Sequence, residues 1–456
     1  MKKTTKKSKT KPAQLCLLNP KCAGIDVGAT ELFVCIAKNS SEHEVRSFPT
    51  FTADLNRMVK WLKESGVESI AMESTGVYWI PPYEILEAAG FEVLLVNARF
   101  FKSVPGRKTD VQDCQWIQQL HSYGLLRGSF RPTSDIVELR SYVRQRSRLF
   151  ESASVQIQLM QKAFTQMNIQ LHHVISDIAG DTGMKIVRAI LEGIRDPKVL
   201  ADLSIGKCRK KKDLIEKALE GNYRKEHLFA LEQAYEAFGF FHNQVLRCEK
   251  MIEELLVSLQ GEEPQTKPST FHGKKCAKKT TAKRSPYFFN APEEIAKVTK
   301  ADLTTIPGID GNTAMKILAE VGTDMSRFAN AKAFASWLGL CPGNKVSGGK
   351  ILSGKTKPSD NRAAQALRMA ASTLYQSKTA LGAFLRRLRA RLGAPKAITA
   401  AAHKLARIIY RMLSDGNDYR EVGENYYEQQ YHARVVGNLK KRAEELGYAL
   451  MPVNLG

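Results

Sequence analysis

The 456-residue chain contains no run approaching the roughly 18 consecutive apolar residues of a membrane-spanning helix. Cysteine is sparse and scattered, at positions 16, 22, 35, 114, 208, 248, 276 and 341, with no C-x-x-C pair and no histidine at metal-ligand spacing. That excludes a disulfide scaffold or a zinc module and fits a reducing cytoplasm. Acidic residues are in deficit: 46 Asp and Glu stand against 69 Lys and Arg, a net charge of +23. Such an excess points to a polyanionic partner, nucleic acid ahead of an anionic membrane surface. The basic start, Met1 to Lys11, meets only a short apolar patch broken by Pro20 and reads as a solvated tail, not a secretory signal. What is present is a globular composition, 43% apolar and 25% charged, with length for about three domains.

From Ala23 the chain alternates between strand and helix patterns. Three short β-rich runs, Ala23–Val27, Glu31–Ala37 and Glu44–Phe48, are separated by Gly or Asn/Ser turns and predict a meander. Helices are expected at Ala53–Glu64, Pro82–Ala89 and Asp110–Tyr123, with strands at Ser69–Met72 and Phe91–Val96. Three antiparallel strands followed by alternating helices and strands is the element order of a ribonuclease-H-like α/β domain.

The period then changes. Leu139, Val143, Arg146, Phe150, Ala153, Ile157, Met160, Phe164, Met167 and Leu171 follow a 4,3 spacing, a heptad seam with one polar position. A second helical stretch from Leu231 to Leu259 offers a partner, so the seam is either an intramolecular helical hairpin or an oligomerising coiled coil. Residues 261–286 turn to Lys, Thr, Pro and Ser and read as a disordered basic insert. From Lys297 to about Ser414 the pattern is again helical, with Gly-rich loops and many Arg and Lys, and the stretch beyond Asn417 is polar with no assignable chemistry.

Four carboxylates stand out. Asp26 interrupts a first strand otherwise suited to burial, and a lone buried carboxylate needs a cation or donors. Glu73 ends a strand that would lie beside the first, and Asp110 and Asp113 share one face at the start of a helix. Singly, each reads as a cap or a solvated strand end. Jointly, they make an oxygen-rich site for Mg²⁺, and two such ions suit in-line phosphoryl transfer.

Asp26 in Gly24-Ile25-Asp26-Val27-Gly28, Glu73 in Met72-Glu73-Ser74-Thr75-Gly76-Val77-Tyr78-Trp79, and Lys108-Thr109-Asp110-Val111-Gln112-Asp113 resemble the DEDD motifs of the IS110 family of insertion-sequence transposases. The resemblance continues through Gly193–Pro197 into the carboxy-terminal part, covering most of residues 23–415. It implies a RuvC-like nuclease domain, expected over residues 23–132, and a coiled-coil region, expected over 133–260; the basic insert and linker over 261–298 is read from composition and is not among the family motifs. A helical transposase domain with a catalytic serine is implied over 299–416, between a basic tail at 1–22 and a carboxy-terminal tail at 417–456. The resemblance further implies a site-specific DNA recombinase acting on element ends and target and guided by an element-encoded RNA; the heptad seam adds the expectation of a homo-oligomer, dimer or tetramer, and the cysteine usage that of a cytoplasmic protein, acting at the nucleoid. Asp26-Val27-Gly28-Ala29-Thr30 also matches the phosphate loop of actin-fold sugar kinases, which would not call for the Asp110/Asp113 pair or for +23.

In the carboxy-terminal part, Leu303–Gly311 followed by Ala314–Gly322 resembles a helix-hairpin-helix, with Gly308 and Gly311 in a turn able to present backbone N–H groups to phosphates. The alternative is a hairpin that only packs. Gly343–Lys350 looks like the family's serine-bearing segment, making Ser347 the candidate nucleophile, with Ser353 a rival and Lys350 or Arg362 balancing developing charge. Without the resemblance Ser347 reads as a hinge in a glycine loop. Gly349–Thr356 satisfies the literal P-loop pattern, but no preceding buried strand or immediately following helix supports one. Part of the row Arg386, Arg387, Arg389, Arg391, Lys396, Lys404, Arg407 and Arg411 is read as a phosphate-contacting surface. A serine–phosphate intermediate is one expected mechanism. A RuvC-type junction nuclease using water, or a non-enzymatic nucleic-acid-binding protein, are the alternatives.

Overall fold

The computed structural model describes residues 16–38, 42–97, 109–260 and 287–451. Most of the basic tail, Lys108 and the Lys-rich insert at 261–286 lie outside the described residues. The chain divides into two compact units, Met1–Arg131 and Pro132–Gly456.

The first unit is an α/β layer structure. Strands β1 (Cys22–Val27), β2 (Glu31–Ala37) and β3 (His43–Pro49) form the meander, followed by α1 (Thr52–Glu64), β4 (Ser69–Glu73), α2 (Ile80–Ala88), β5 (Glu92–Val96) and α3 (Asp110–Ser122). The sheet order is β3-β2-β1-β4-β5, antiparallel across the meander and parallel from β1 through β4 to β5. Strand alternation sorts the side chains. Ile25, Val34 and Met72 pack with Leu55, Met58 and Leu62 of α1 on one face, while Ala71 and Val96 pack with Ile117 of α3 on the other.

The second unit is mainly helical. Two long helices, α4 (Ser134–Gln166) and α9 (Lys225–Ser258), pack along their length, with α5 (Leu171–Val174), α6 (Asp181–Leu191), α7 (Pro197–Asp202) and α8 (Lys212–Ala218) between them in sequence. Arg146 meets Glu249 near one end, and Phe164 shares a core with Leu231 near the other, so the two helices run antiparallel. The heptad seam is therefore largely covered within its own chain, with Phe150 left exposed. Leu139, Val143, Arg146, Ala153, Met160 and Phe164 are buried, and α4 stops before Asn168 with its positive φ of 56°, so Leu171 belongs to the next helix and not to the seam. Residues 171–219 form a helical cluster at that end, its core including Ile186, Ile190, Leu200 and Ile215. The sequence pattern did not foretell this cluster.

Beyond residue 286, Tyr287 and Phe289 are buried and α10 spans Ala291–Thr299, so the expected linker over 261–298 gives way to ordered chain before its end. Then follow α11 (Gly311–Val321), α12 (Ala331–Trp337), a hairpin of β6 (Lys345–Ser347) and β7 (Lys350–Ser353), α13 (Arg362–Thr373), α14 (Ala380–Leu392), α15 (Ala394–Asp415) and α16 (Glu424–Glu445). Helix α16 corrects the reading of residues 417–456 as a mere tail: it packs on α14, where Glu424 and Glu428 pair with Arg386 and Arg387. Among the described residues, no helix is long and apolar enough to cross a membrane.

Candidate active site

Gly24 is the residue that lets the carboxylate corner assemble. A Cβ there would lie 2.3 Å from the Gln118 backbone nitrogen and 2.4 Å from the Cys114 carbonyl oxygen, so only glycine lets α3 lie directly on β1. The Cys22 thiol meets the Gln118 carbonyl at 3.7 Å, which sets α3 antiparallel to β1. From Cys22 the strand climbs roughly 13 Å to Asp26, and from Gln118 the helix climbs back roughly 12 Å to Asp110. The matched lengths bring Asp26, Asp110 and Asp113 to one end of the sheet. Glu73 joins them because β1 and β4 are parallel with Ile25 opposite Met72, so the next rung sets Asp26 beside Glu73 on the same face.

Burial differs across the four. Glu73 is 2% exposed, Asp26 and Asp113 are half-buried, and Asp110 is exposed. Thr75 donates its hydroxyl to Glu73 Oε1 at 2.8 Å, and Thr109 caps α3 by accepting the Gln112 N–H at 3.3 Å. Burial, then the charges of Glu73, Asp110 and Asp113 and a hydrogen bond shared with Glu73, push the Asp26 carboxyl up to about 7. All of these causes act in the same direction, and no cation is among them. Cys114 and Cys35 lie against this corner, and the Cys114 thiol is raised well above the ordinary range by its contact with Cys35, by burial and by Asp26.

Among the described residues, no three His, Cys, Asp or Glu side chains stand as a ready-made metal cage. The donor set nonetheless fits a hard divalent cation: the four side chains offer only oxygen, and their mutual repulsion is what a positive ion would relieve.

Ser347 lies in the second unit. It is exposed on β6, opposite Lys350 across a two-residue turn in which Gly348 and Gly349 have φ of 54° and 76°. Two positive φ values define a type I′ hairpin turn, so this is a structured hairpin, not a loose glycine loop. Ser353 sits one rung past the bulge, opposite Lys345, and its Oγ accepts the Lys355 N–H at 3.4 Å. The P-loop-like stretch is β7 and the chain after it, and the next helix begins only at Arg362, so its residues form no phosphate cradle. Arg362 is exposed in the first turn of α13, beside Asn361, which caps that helix.

The helix-hairpin-helix candidate packs on α13 with Gly308 and Asp310 left exposed. Gly308, at φ 86°, packs so closely on the end of α13 that a Cβ would meet the Ala370 carbonyl at 2.7 Å, and Gly311 is buried against Pro292. Asp310 fills the α11 N-terminus, accepting the Thr313 N–H at 2.8 Å. Close packing accounts for a glycine at both positions, and of the two only Gly308 is exposed.

Sequence reasoning did not foresee Gly24, Thr75 or the Cys35/Cys114 pair. A glycine in mid-strand and a threonine two residues past the strand-end glutamate were the available signals. A family model described as a transposase matches residues 23–169, containing all four carboxylates, and one described as the IS116/IS110/IS902 transposase family matches residues 300–386, containing Ser347. The chain is also similar to the candidate transposase y4pF/y4sB of Sinorhizobium fredii, 30% identical over 144 residues, which is 28% of this chain and 36% of that protein. The match thus spans about a third of the length of this relative. With the fold, the carboxylate corner and both matched regions in place, the chain belongs to the IS110 family of transposases.

Proposed function

We propose that the protein is a Mg²⁺-dependent DNA recombinase that cuts and rejoins strands through a serine–phosphate intermediate. The observation that carries this reading is the convergence of Asp26, Glu73, Asp110 and Asp113 on one corner of a five-stranded sheet within the matched region. Asp26, Glu73, Asp110 and Asp113 would hold Mg²⁺, one ion or two, supplying Lewis-acid stabilisation of a phosphodiester under attack. The carboxylates offer no nucleophile suited to strand joining, which Ser347 does. Its Oγ bonds to phosphorus as the bond to the leaving deoxyribose oxygen breaks, and the serine proton ends on that oxygen. Lys350, its neighbour across the turn, supplies positive charge beside the attacked phosphate. The partners are DNA at element ends and target and, by the family resemblance and the +23 charge, a guide RNA, with the protein acting at the nucleoid as a homo-oligomer.

The test compares the wild type, Ser347→Ala and Asp26→Ala on DNA substrate with Mg²⁺ and the element's RNA. The expected result is a denaturation-resistant protein–DNA adduct in the wild type alone. An adduct that persists in Ser347→Ala rejects the serine role, and a wild type that cuts but never forms one favours a nuclease using water.

A further inference from the structure

At the base of the β6–β7 hairpin a groove of about 1350 Å³ opens between β7 with the chain after it and the helices α14 and α15. Lys355, Arg391, Lys396, Lys404, Arg407 and Arg411 line it, and no Asp or Glu does. None of these six is in an ion pair among the described residues, while Arg386 and Arg387, on the same α14, are both paired to α16. The same protein therefore neutralises one set of arginines on α14 and leaves the groove-lining cations open. Between the cations the lining is apolar: Leu352, Phe384, Leu388, Leu392 and Ile408. Lys404 is the most telling member. It is half-buried, its Nζ lies 4.7 Å from the centre of the Phe384 ring, and burial together with Arg434 and Arg407 lowers its affinity for its proton. An ammonium held among like charges is stabilised by an incoming anion.

We propose that this groove binds one unpaired nucleic-acid strand, its phosphates along the cationic residues and its bases on the apolar floor. A duplex turns only phosphates and groove edges outward and would leave the apolar floor against charge, whereas a single strand presents both kinds of surface. Lys396, Lys404, Arg407 and Arg411 lie on one face of α15 and span roughly 22 Å, room for about six stacked nucleotides. Ser353, paired with Lys345 at the base of the hairpin, also lines the groove, so the bound strand lies along the element that carries Ser347. The proposal rests on the chain being a nucleic-acid enzyme and does not require Ser347 to be the nucleophile.

The test is fluorescence anisotropy of full-length Ser347→Ala protein in EDTA, so that strand binding is read without chemistry. The probes are labelled DNA and RNA single strands of about 12 nucleotides, the matching duplex, and a single strand with abasic sites at its centre. Single strands are expected to bind more tightly than duplex and than the abasic strand, and the tighter of DNA and RNA names the source. Adding Lys396→Gln, Arg407→Gln and Arg411→Gln should weaken single-strand binding about tenfold and flatten the salt slope by about two between roughly 50 and 200 mM. Duplex binding as tight as single strand, an abasic strand binding as well as an intact one, or an unchanged slope in the correctly folded triple variant would each overturn the proposal. The abasic comparison needs no groove substitution and stands even if the triple variant misfolds. Failure of the serine adduct test would leave these outcomes unaffected.

Discussion

At the scale of single residues, the Asp26 carboxyl shows how a fold can store an unfavourable charge. Folding raises it from 3.8 to about 7, so the folded protein holds a proton that the unfolded chain releases. Its contribution to stability is full below about pH 4 and is lost as pH rises through 7. Because the residue is half-exposed, solvent screening reduces the cost at pH 8 to about 1–2 kcal/mol. Asp26→Asn should therefore melt above the wild type at pH 8 in EDTA and coincide with it at pH 4, and Mg²⁺ should raise the wild type at pH 8 but not the variant. A variant that melts below the wild type at pH 8 would show that the charged carboxylate is not under strain. Asp26 was legible as an acidic residue placed where burial was expected. Its proton affinity was not, because that depends on three other carboxylates up to 87 positions away in the chain.

Among the elements, the joint between α4 and α9 turns on one buried pair. Arg146 donates to Glu249 Oε1 at 2.7 Å, stacks 3.9 Å over the Tyr287 ring, and leaves Glu249 Oε2 to accept the Phe288 N–H at 2.9 Å. The pair thus clamps two long helices and the chain that enters α10. Removing one partner strands a charge: Arg146→Met should cost about 3–5 kcal/mol in urea unfolding, and Arg146→Met/Glu249→Leu should recover most of it. A double variant as unstable as the single would show that the cost lies in lost packing. Heptad spacing identified Arg146 as the seam's one polar position, yet period alone could not name a partner 103 residues away. The first unit's elements were legible because strand alternation, helix period and Gly turns agreed. The α5–α8 cluster was not, since α5, α7 and α8 are too short to show a period and the apolar face of α6 does not by itself name its partners. The Ser347 hairpin was legible in principle, as Gly348-Gly349 between two short β-type runs is a type I′ signal, but the surrounding glycines masked it.

For the whole molecule, net charge told less than how the charge is divided. The arginine row, part of which the sequence reads as a phosphate-contacting surface, is split by α16, an element the sequence showed only as a polar stretch. Glu424 and Glu428 hold Arg386 and Arg387, and the Arg387 guanidinium lies 3.3 Å from the centre of the Tyr431 ring. Helix α16 has no buried residue of its own, so these contacts, with Phe384 edge-on to Tyr427, are what seat it. Partly exposed ion pairs contribute about 0.2–1 kcal/mol each, which is too little to lock the helix but enough to screen two cations from phosphate. Glu424→Gln/Glu428→Gln in the full chain should therefore leave the melting temperature nearly unchanged while raising non-specific duplex affinity at low salt. The log–log salt slope should steepen by up to about 0.9 for each arginine freed. An unchanged slope would mean that Arg386 and Arg387 stay committed to the Tyr375 and Ser377 carbonyls and to the Tyr431 ring after their carboxylates are gone. In that case α16 serves packing alone, and the groove cations Arg391, Lys396, Arg407 and Arg411 remain the ones on α14 and α15 that an incoming phosphate meets.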